Sequence, residues 1–475
     1  MSTTSQASQR INALLDENSF VEIGALVTAR ATDFNLKQAE TPSDGVVTGY
    51  GVIDGNLVYV YSQDASVLSG TVGEMHAKKI ANLYDLALKT GVPVIGLIDS
   101  AGLRLQEATD ALNGFGEIYM KQTLASGVIP QITAVFGSCG GGLALIPAMT
   151  DFTFMEEKKA KLFVNSPNAL EGNEVSRCDT AAAAFQSEET GLVDMVGDEA
   201  SIMAQIRQLV SMLPANNAEI AVDDCTDDLN RACAQIADCV GDTSIALSQI
   251  ADNGIFTEVK QNYAKDMVVG FIRLNGATIG AVANRTQVYN EDGEVTEKFD
   301  AVLSVRGAEK AAEFINFCDA FDIPVLSLTN VKGFAATKCS ERRIAKAVGK
   351  LTYAFANAIV PKVNVIIGKA YGSAYVAMNS KAVGADITIA WPDAEIGMMD
   401  AALAAKIICD GQGADAIDAC AKEYAALQNN VTSAAKRGYV DQIVEPADTR
   451  KYVIGAFEML ATKSEGRPDK KHGTV

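Results

Sequence analysis

The sequence predicts an α/β protein made of two tandem domains, each built on a largely parallel sheet. Its 475 residues exceed the size of one ordinary core. The segment 77–102 recurs as 308–333 without a gap. Within each copy, helical periodicity alternates with apolar runs of strand length. We expect the domains to span residues 1–225 and 226–475.

The repeat keeps a constant register. An offset of 231 residues places Gly102 on Gly333. The same offset carries "GSCGGGLALIPAM" (137–149) onto "GKAYGSAYVAMNS" (368–380). Because turn glycines fall on turn glycines with no gap, we interpret the two halves as products of a duplication.

Each copy contains the same predicted elements in the same order. A helix leads to a buried strand that begins at proline, then to a turn and a second helix, near 111–126 or 341–358. Another strand, a glycine-rich turn and an apolar helix follow. A hairpin precedes each copy, at 49–64 and 270–285, with an Asp-Gly or Asn-Gly turn.

Composition excludes several classes of protein. A net charge of −19 repels phosphates, so we expect no nucleic-acid partner. The chain begins without an apolar signal core and has no apolar run of spanning length, which predicts a cytoplasmic protein. The nine cysteines form no C-x-x-C pair, so we expect no metal site.

The stretch "GSCGGG" (137–142) is the main candidate for chemistry, and it has three interpretations. A phosphate cradle fits poorly, because the spacing matches neither G-x-x-x-x-G-K-[ST] nor G-x-G-x-x-G. A nucleophilic Cys139 needs a base, and of the two histidines, His472 lies in a polar tail, which leaves only His76. We favour a buried structural thiol at Cys139.

The third interpretation is an oxyanion hole, formed by backbone amides at the start of a helix. Duplication supports it, because the second copy has a matching turn at 372–374. Two such turns suit a reaction that passes a group between two carbonyl-type partners. Such a site depends on positioned amides, which agrees with the scarcity of histidine.

Several segments resemble the biotin-dependent carboxyltransferases. The first half carries "DSAGLRLQE" (99–107) and "PAMTDFTFM" (147–155), and the second carries "VPKVNVIIGKAYGSAYVAMNSKAVGAD" (360–386) and "AWPDAEIGMM" (390–399). The group resembled comprises the β-type subunits of propionyl-CoA and acetyl-CoA carboxylases, and the carboxyltransferase subunits of glutaconyl-CoA and methylmalonyl-CoA decarboxylases. The resemblance implies two tandem crotonase-like domains, each a ββα superhelix of the ClpP/crotonase type.

The resemblance also implies where the ligands bind. The acyl-CoA thioester would lie on the N-terminal domain, with its enolate oxygen at the amides of Gly141 and Gly142. Biotin would lie on the C-terminal domain, with its ureido oxygen at the amides of Ser373 and Ala374. Further substrate-binding positions implied in this way are Gly102, Arg104, Gly140, Gly333, Phe334, Tyr371, Gly372 and Val376.

Some roles stay open at this point. Arg104 either contacts CoA phosphates or pairs with an acid such as Glu107. Lys332 departs from the family's "D-V-P-G-F", here "NVKGF", and either contacts a carboxylate or is a solvated loop lysine. Val376 is aliphatic at a position that the resemblance links to acyl-chain preference.

The resemblance implies partners as well. With no A-M-K-M biotinylation site and no ATP-binding loop, biotin is expected on a separate biotin carboxyl carrier protein. A biotin carboxylase or a membrane decarboxylase subunit would be the further partner, and the chain would form a homodimer or a hexamer (trimer of dimers). The alternatives are a biotin-independent crotonase-type hydratase, isomerase or decarboxylase, and a non-catalytic scaffold.

Overall fold

The structure is a computed structural model that describes residues 5–30, 40–290, 292–470 and 473–474. The chain divides into two compact units, Met1–Ala221 and Val222–Val475. His472 lies outside the described residues.

The first unit alternates helices and strands after an initial hairpin. Its described helices are α1 (Gln6–Leu14), α2 (Glu74–Thr90), α3 (Ala108–Ala125), α4 (Leu145–Ala148) and α5 (Glu199–Met212). Its described strands are β1 (Val21–Ile23), β2 (Val46–Ile53), β3 (Asn56–Gln63), β4 (Val94–Ser100), β5 (Gln131–Gly140), β6 (Phe152–Glu156), β7 (Lys161–Phe163) and β8 (Met195–Gly197).

The second unit repeats this pattern and adds helices near its end. Its described helices are α6 (Thr243–Ile250), α7 (Val305–Ala320), α8 (Lys338–Glu341), α9 (Ile344–Asn357), α10 (Gly372–Ala377), α11 (Ala401–Ile408), α12 (Ala414–Tyr424), α13 (Val431–Lys436) and α14 (Thr449–Leu460). Its described strands are β9 (Phe256–Val259), β10 (Met267–Leu274), β11 (Ala277–Asn284), β12 (Gln287–Tyr289), β13 (Val295–Lys298), β14 (Val325–Val331), β15 (Lys362–Tyr371), β16 (Ile387–Ala390), β17 (Glu395–Gly397) and β18 (Gln442–Ile443).

The main sheets of the two units have the same topology. The first runs β1-β2-β3-β4-β5-β6-β8 with β7 beside β5, and the second runs β9-β10-β11-β14-β15-β16-β18 with β17 beside β15. In each, the first three strands are antiparallel and the remaining pairs are parallel. The predicted α/β class with largely parallel sheets is confirmed, and so is the duplication.

The two hairpins form where the sequence predicts them. Asp54 and Gly55 connect β2 to β3 with φ values of 49° and 82°, and Asn275 and Gly276 connect β10 to β11 with 49° and 79°. Two consecutive left-handed residues define a type I′ turn, whose twist suits a two-residue hairpin.

A matching irregularity interrupts the central pair of strands in each unit. The register of β4 against β5 shifts at Asp99, and that of β14 against β15 shifts at Asn330. A Cβ added at Gly137 would overlap Asp99 Oδ1, and one at Gly368 would lie 2.7 Å from Asn330 Oδ1. In both units, therefore, a polar side chain fills the space beside a glycine of the neighbouring strand.

No helix among the described residues is both long enough and apolar enough to cross a membrane.

Candidate active site

The first glycine-rich turn lies at the end of β5. Gly141 has φ +63°, which directs the chain from the strand into a short helical turn, Gly141–Ala144, that continues into α4. Amides in the first turn of a helix lack intrahelical acceptors. A Cβ at Gly141 would meet no atom within 4 Å, so the space beside this turn is open to a ligand.

The second turn has a similar backbone course. Gly372 follows β15 with φ +61° and begins α10, so the amides of Ser373 and Ala374 belong to its first turn. The offset of 231 residues aligns Gly142 with Ser373. The predicted donor pairs, Gly141–Gly142 and Ser373–Ala374, therefore differ by one residue in register.

Gly102 packs against the first glycine-rich turn, at the end of β5. It has φ +101°, and a Cβ there would lie 3.6 Å from the carbonyl oxygen of Gly140. Its own carbonyl accepts the Val72 amide at 2.8 Å, and the Arg104 amide donates to Val72 O at 3.0 Å. The structure thus places Gly102 close to Gly140.

Gly333 and Phe334 occupy the matching position in the second unit. The Leu303 amide donates to Gly333 O at 2.9 Å, and Leu303 pairs in parallel with Phe334. Phe334 is 38% exposed, and Val376 on α10 is 39% exposed. Both side chains are thus available to a ligand.

The sequence analysis missed Tyr119 as a contributor to the site. The Tyr119 hydroxyl on α3 donates to Gly142 O at 2.5 Å, and its ring stacks on Phe115 at 6.0 Å between centroids. Tyr371 stays a predicted substrate-binding residue; its hydroxyl donates to Glu395 Oε2, and burial raises the pKa of that hydroxyl. Spacing along α3 carries no signal of the Tyr119 contact, because the contact depends on how α3 packs.

Arg104 does not reach the surface. Its side chain is 1% exposed, and Nη1 lies 2.7 Å from Asp44 Oδ1 and 2.8 Å from Glu107 Oε1. Of the two roles left open, the structure shows pairing with Glu107. The structure does not support Arg104 as a residue that contacts a CoA phosphate, because its guanidinium offers almost no accessible surface.

His76 and Cys139 do not form a catalytic pair. Gln63 Oε1 accepts the Asp99 amide, so Gln63 Nε2 donates to His76 Nε2, and His76 Nδ1 donates to Asp44 O. Burial lowers the pKa of His76 to about 3, and burial raises the pKa of Cys139. Both ring nitrogens of this neutral imidazole are already hydrogen-bonded, so His76 cannot activate a buried thiol, and we keep the structural interpretation of Cys139.

Lys332 lies between β14 and Gly333. Its Nζ is 3.7 Å from Asp300 Oδ1, and its side chain is 48% exposed. This geometry is that of a solvated loop lysine with a weak surface pairing.

The two turns fit substrate oxygens that acquire negative charge. Amides at a helix start stabilise such oxygens without a proton donor. A Cβ at Gly141 would meet no atom within 4 Å, whereas a Cβ at Gly372 would lie 3.1 Å from the carbonyl oxygen of Met398. Within the described ranges, no group of three or more His, Cys, Asp or Glu side chains is arranged to hold a metal ion.

Each α/β unit thus places helix-start amides at the end of a central strand, and preorganised amides of this kind are characteristic of enzymes that stabilise oxyanions. The chain belongs to the carboxyl transferase family, because the family model "Carboxyl transferase domain" matches residues 4–475.

Its relatives support this assignment along the whole length. The chain is 40% identical to "Methylmalonyl-CoA decarboxylase subunit alpha" of Propionigenium modestum, over 99% of this chain and 92% of that one. It is also 40% identical to "Propionyl-CoA carboxylase beta chain" of Roseobacter denitrificans, over 99% and 93%.

A solved structure supports the fold. A crystal structure of transcarboxylase 12S, described as a hexamer with hydrolysed methylmalonyl-CoA bound, matches with a TM-score of 0.92 and 37% identity, over 98% of this chain and 92% of that one. The predicted crotonase-like fold, the family and the enzyme class, a biotin-dependent acyl-CoA carboxyltransferase, are confirmed.

Proposed function

We propose that this enzyme transfers a carboxyl group between biotin on a separate carrier protein and the α-carbon of propionyl-CoA, with methylmalonyl-CoA as the carboxylated thioester. The observation that carries the proposal is the pair of register-equivalent turns, with φ +63° at Gly141 and +61° at Gly372. A transfer between two carbonyl-type substrates needs two places where an oxygen gains charge. The substrate pair follows from the names of the relatives.

We assign the two turns to the two substrates. In the N-terminal domain (1–225), the amides of Gly141 and Gly142 hold the thioester oxygen while the α-carbon is an enolate. In the C-terminal domain (226–475), the amides of Ser373 and Ala374 hold the ureido oxygen of biotin. Preorganised donors of this kind are each worth about 10²–10³ in rate.

The proposal extends to partners. Biotin arrives on a biotin carboxyl carrier protein and acts here as a substrate. A biotin carboxylase supplies the carboxyl group in one direction, and a membrane decarboxylase subunit consumes it in the other. A homodimer or a hexamer is the proposed assembly, supported by the hexamer named for transcarboxylase 12S. We retain a cytoplasmic location as a prediction.

The test is turnover of methylmalonyl-CoA by the purified enzyme with free biotin, followed by the appearance of propionyl-CoA. We expect consumption that depends on biotin concentration. No turnover of methylmalonyl-CoA, malonyl-CoA or glutaconyl-CoA, with biotin or a biotinylated carrier protein, would overturn the proposal. Equal turnover after avidin removes all biotin would favour a biotin-independent decarboxylase.

A further inference from the structure

A buried cluster of charged side chains in the first unit joins two segments that are distant in sequence. Arg104 lies at its centre, with Asp44 and Glu107 both paired to Nη1. On the other side, Arg104 Nη2 donates to Thr71 O at 2.7 Å, and Nε donates to Thr71 Oγ1 at 3.3 Å. One guanidinium therefore ties the chain before α2 to the chain after β4.

The two carboxylates also bind the start of α2. Glu107 Oε2 accepts the Glu74 amide at 2.6 Å, and Asp44 Oδ2 accepts the His76 amide at 2.8 Å. Gly73 precedes α2 and has no side chain to cap it, so these carboxylates bind amides that would otherwise be unpaired. The cluster thus fixes the first turn of α2 relative to residues 102–107.

This position connects the cluster with the first glycine turn. Val72 and Leu103 pair in parallel between the two fastened segments, and Gly102 precedes Leu103. A Cβ added at Gly102 would lie 3.6 Å from the carbonyl oxygen of Gly140, so the two residues are neighbours. Arg104 is therefore two residues from the backbone that faces the proposed oxyanion hole, although its own side chain is buried.

The second unit pairs the corresponding segments without this cluster, and its turn differs: Gly102 has a left-handed φ of +101°, whereas the matching Gly333 does not have a left-handed φ. Leu303 pairs with Phe334 as Val72 pairs with Leu103. The positions that match Arg104 and Glu107 hold Ala335 and Lys338. A capping box at Thr337 and Ser340 lies there instead, and Ser340 Oγ donates to Ala335 O at 2.8 Å. Ser304 stands at the position of Gly73 and caps α7 by accepting the Gly307 amide at 2.9 Å, so the start of α7 does not need carboxylates from elsewhere. In the first unit, the carboxylates that cap α2 are joined through Arg104 to the segment of the left-handed Gly102, and this connection is what the first unit adds.

We infer that Arg104 is a positioning residue for the acyl-CoA side of the reaction, which sets the place of Gly102 beside Gly140 and Gly141 without contacting the substrate. This inference rests on the proposed function. Lysine at position 104 keeps the positive charge, but its single ammonium group cannot bind two carboxylates and the Thr71 carbonyl at the same time. The segment that contains Gly102 is then no longer held in place. Because the placement of the amides that hold the oxyanion determines the rate, we expect the substitution to lower kcat and to leave KM nearly unchanged.

The experiment compares Arg104→Lys with Arg207→Met, both as full-length enzyme. Arg207 is a matched control, because it also pairs with two carboxylates, Asp16 and Asp54, and donates to the Leu14 carbonyl. We expect R104K to lower kcat for methylmalonyl-CoA decarboxylation at least tenfold, with KM within threefold, and R207M to keep both. Hydrogen exchange at the Val72 and Arg104 amides should accelerate in R104K only.

A second substrate separates positioning from direct binding. We expect R104K to lower kcat by the same factor with methylmalonyl-CoA and with its 3′-dephospho analogue. A loss that disappears with the dephospho analogue would overturn the inference and make Arg104 a phosphate ligand. Wild-type kcat in R104K would also overturn it, as would an equal loss in R207M. If the wild-type enzyme turns over no thioester, the proposed function fails. If hydrogen exchange of the Val72 and residue-104 amides is unchanged in R104K, the inference about Arg104 fails, whatever the outcome for the proposed function.

Discussion

The carboxylate of Asp99 occupies the space that a side chain at Gly137 would need. The two residues lie on neighbouring strands, β4 and β5, where the register shifts at Asp99. Arg10 Nη1 holds the same carboxylate at 3.1 Å, so Asp99 cannot easily move aside. The first glycine of "GSCGGG" is thus required for packing, whereas Gly141 is required for its left-handed backbone.

Gly137→Ala should destabilise the first unit by about 1–3 kcal/mol, because the added methyl group overlaps Asp99. Gly116→Ala on α3 is the control, since a Cβ there meets no atom within 4 Å. That change should stabilise the fold by about 0.5–1 kcal/mol through helix propensity. Urea unfolding measures both, and equal stability of G137A and wild type would contradict the packing argument.

Gly141→Ala should abolish most carboxyl transfer while the fold persists. A Cβ has space there, but alanine resists φ +63° at a cost of about 1–2 kcal/mol, so the turn shifts and its amides move. Gly55→Ala carries similar strain, with φ +82° and open space, at the tip of the β2–β3 hairpin. Assays of kcat should show a loss of about 100-fold for G141A and little change for G55A; similar losses in both would mean that general strain is responsible.

Ser373 tests whether a side chain or an amide acts at the second turn. Ser373→Ala keeps the backbone N–H and should retain kcat/KM for biotin within about threefold, whereas Ser373→Pro removes the N–H and should lower it about 100-fold. Circular dichroism checks that both variants fold. A large loss in S373A would instead indicate that the hydroxyl binds substrate.

Asp151 should make stability depend on pH. Burial raises the pKa of its carboxyl from 3.8 to about 7 in the folded enzyme, and the nearby Asp194 adds to the rise. The folded state therefore binds a proton that the unfolded state releases, so this contribution is fully present below about pH 4 and is lost as pH rises through 7. It amounts to at most about 4 kcal/mol.

In the wild type, the backbone N–H of Gln131 donates to Asp151 Oδ2 at 2.8 Å. Asp151→Asn removes the titrating carboxyl and still offers an oxygen to this N–H. Relative to wild type, D151N should gain stability from pH 5 to pH 8 in urea unfolding. A stability difference between the two that stays constant over this range would show that Asp151 does not titrate there.

The helices and strands were largely predictable, because their signals are local. Asp-Gly and Asn-Gly define both hairpin turns, and the helices predicted near 111–126 and 341–358 are α3 and α9. The contacts of Arg104 and Tyr119 were not predictable in the same way. An arginine three residues before a glutamate is usually a surface pair, and nothing local shows that Asp44 lies across from it.

The sequence by itself determined the duplication, the α/β class, the family and the two glycine turns, since each depends on residue order along the chain. Only the tertiary structure decided which glycines carry backbone strain and which avoid a collision, that Arg104 is buried between two carboxylates, and that His76 is neutral. Those properties depend on which segments pack together in space. Burial and the loss of solvation then determine the charge and accessibility of each group.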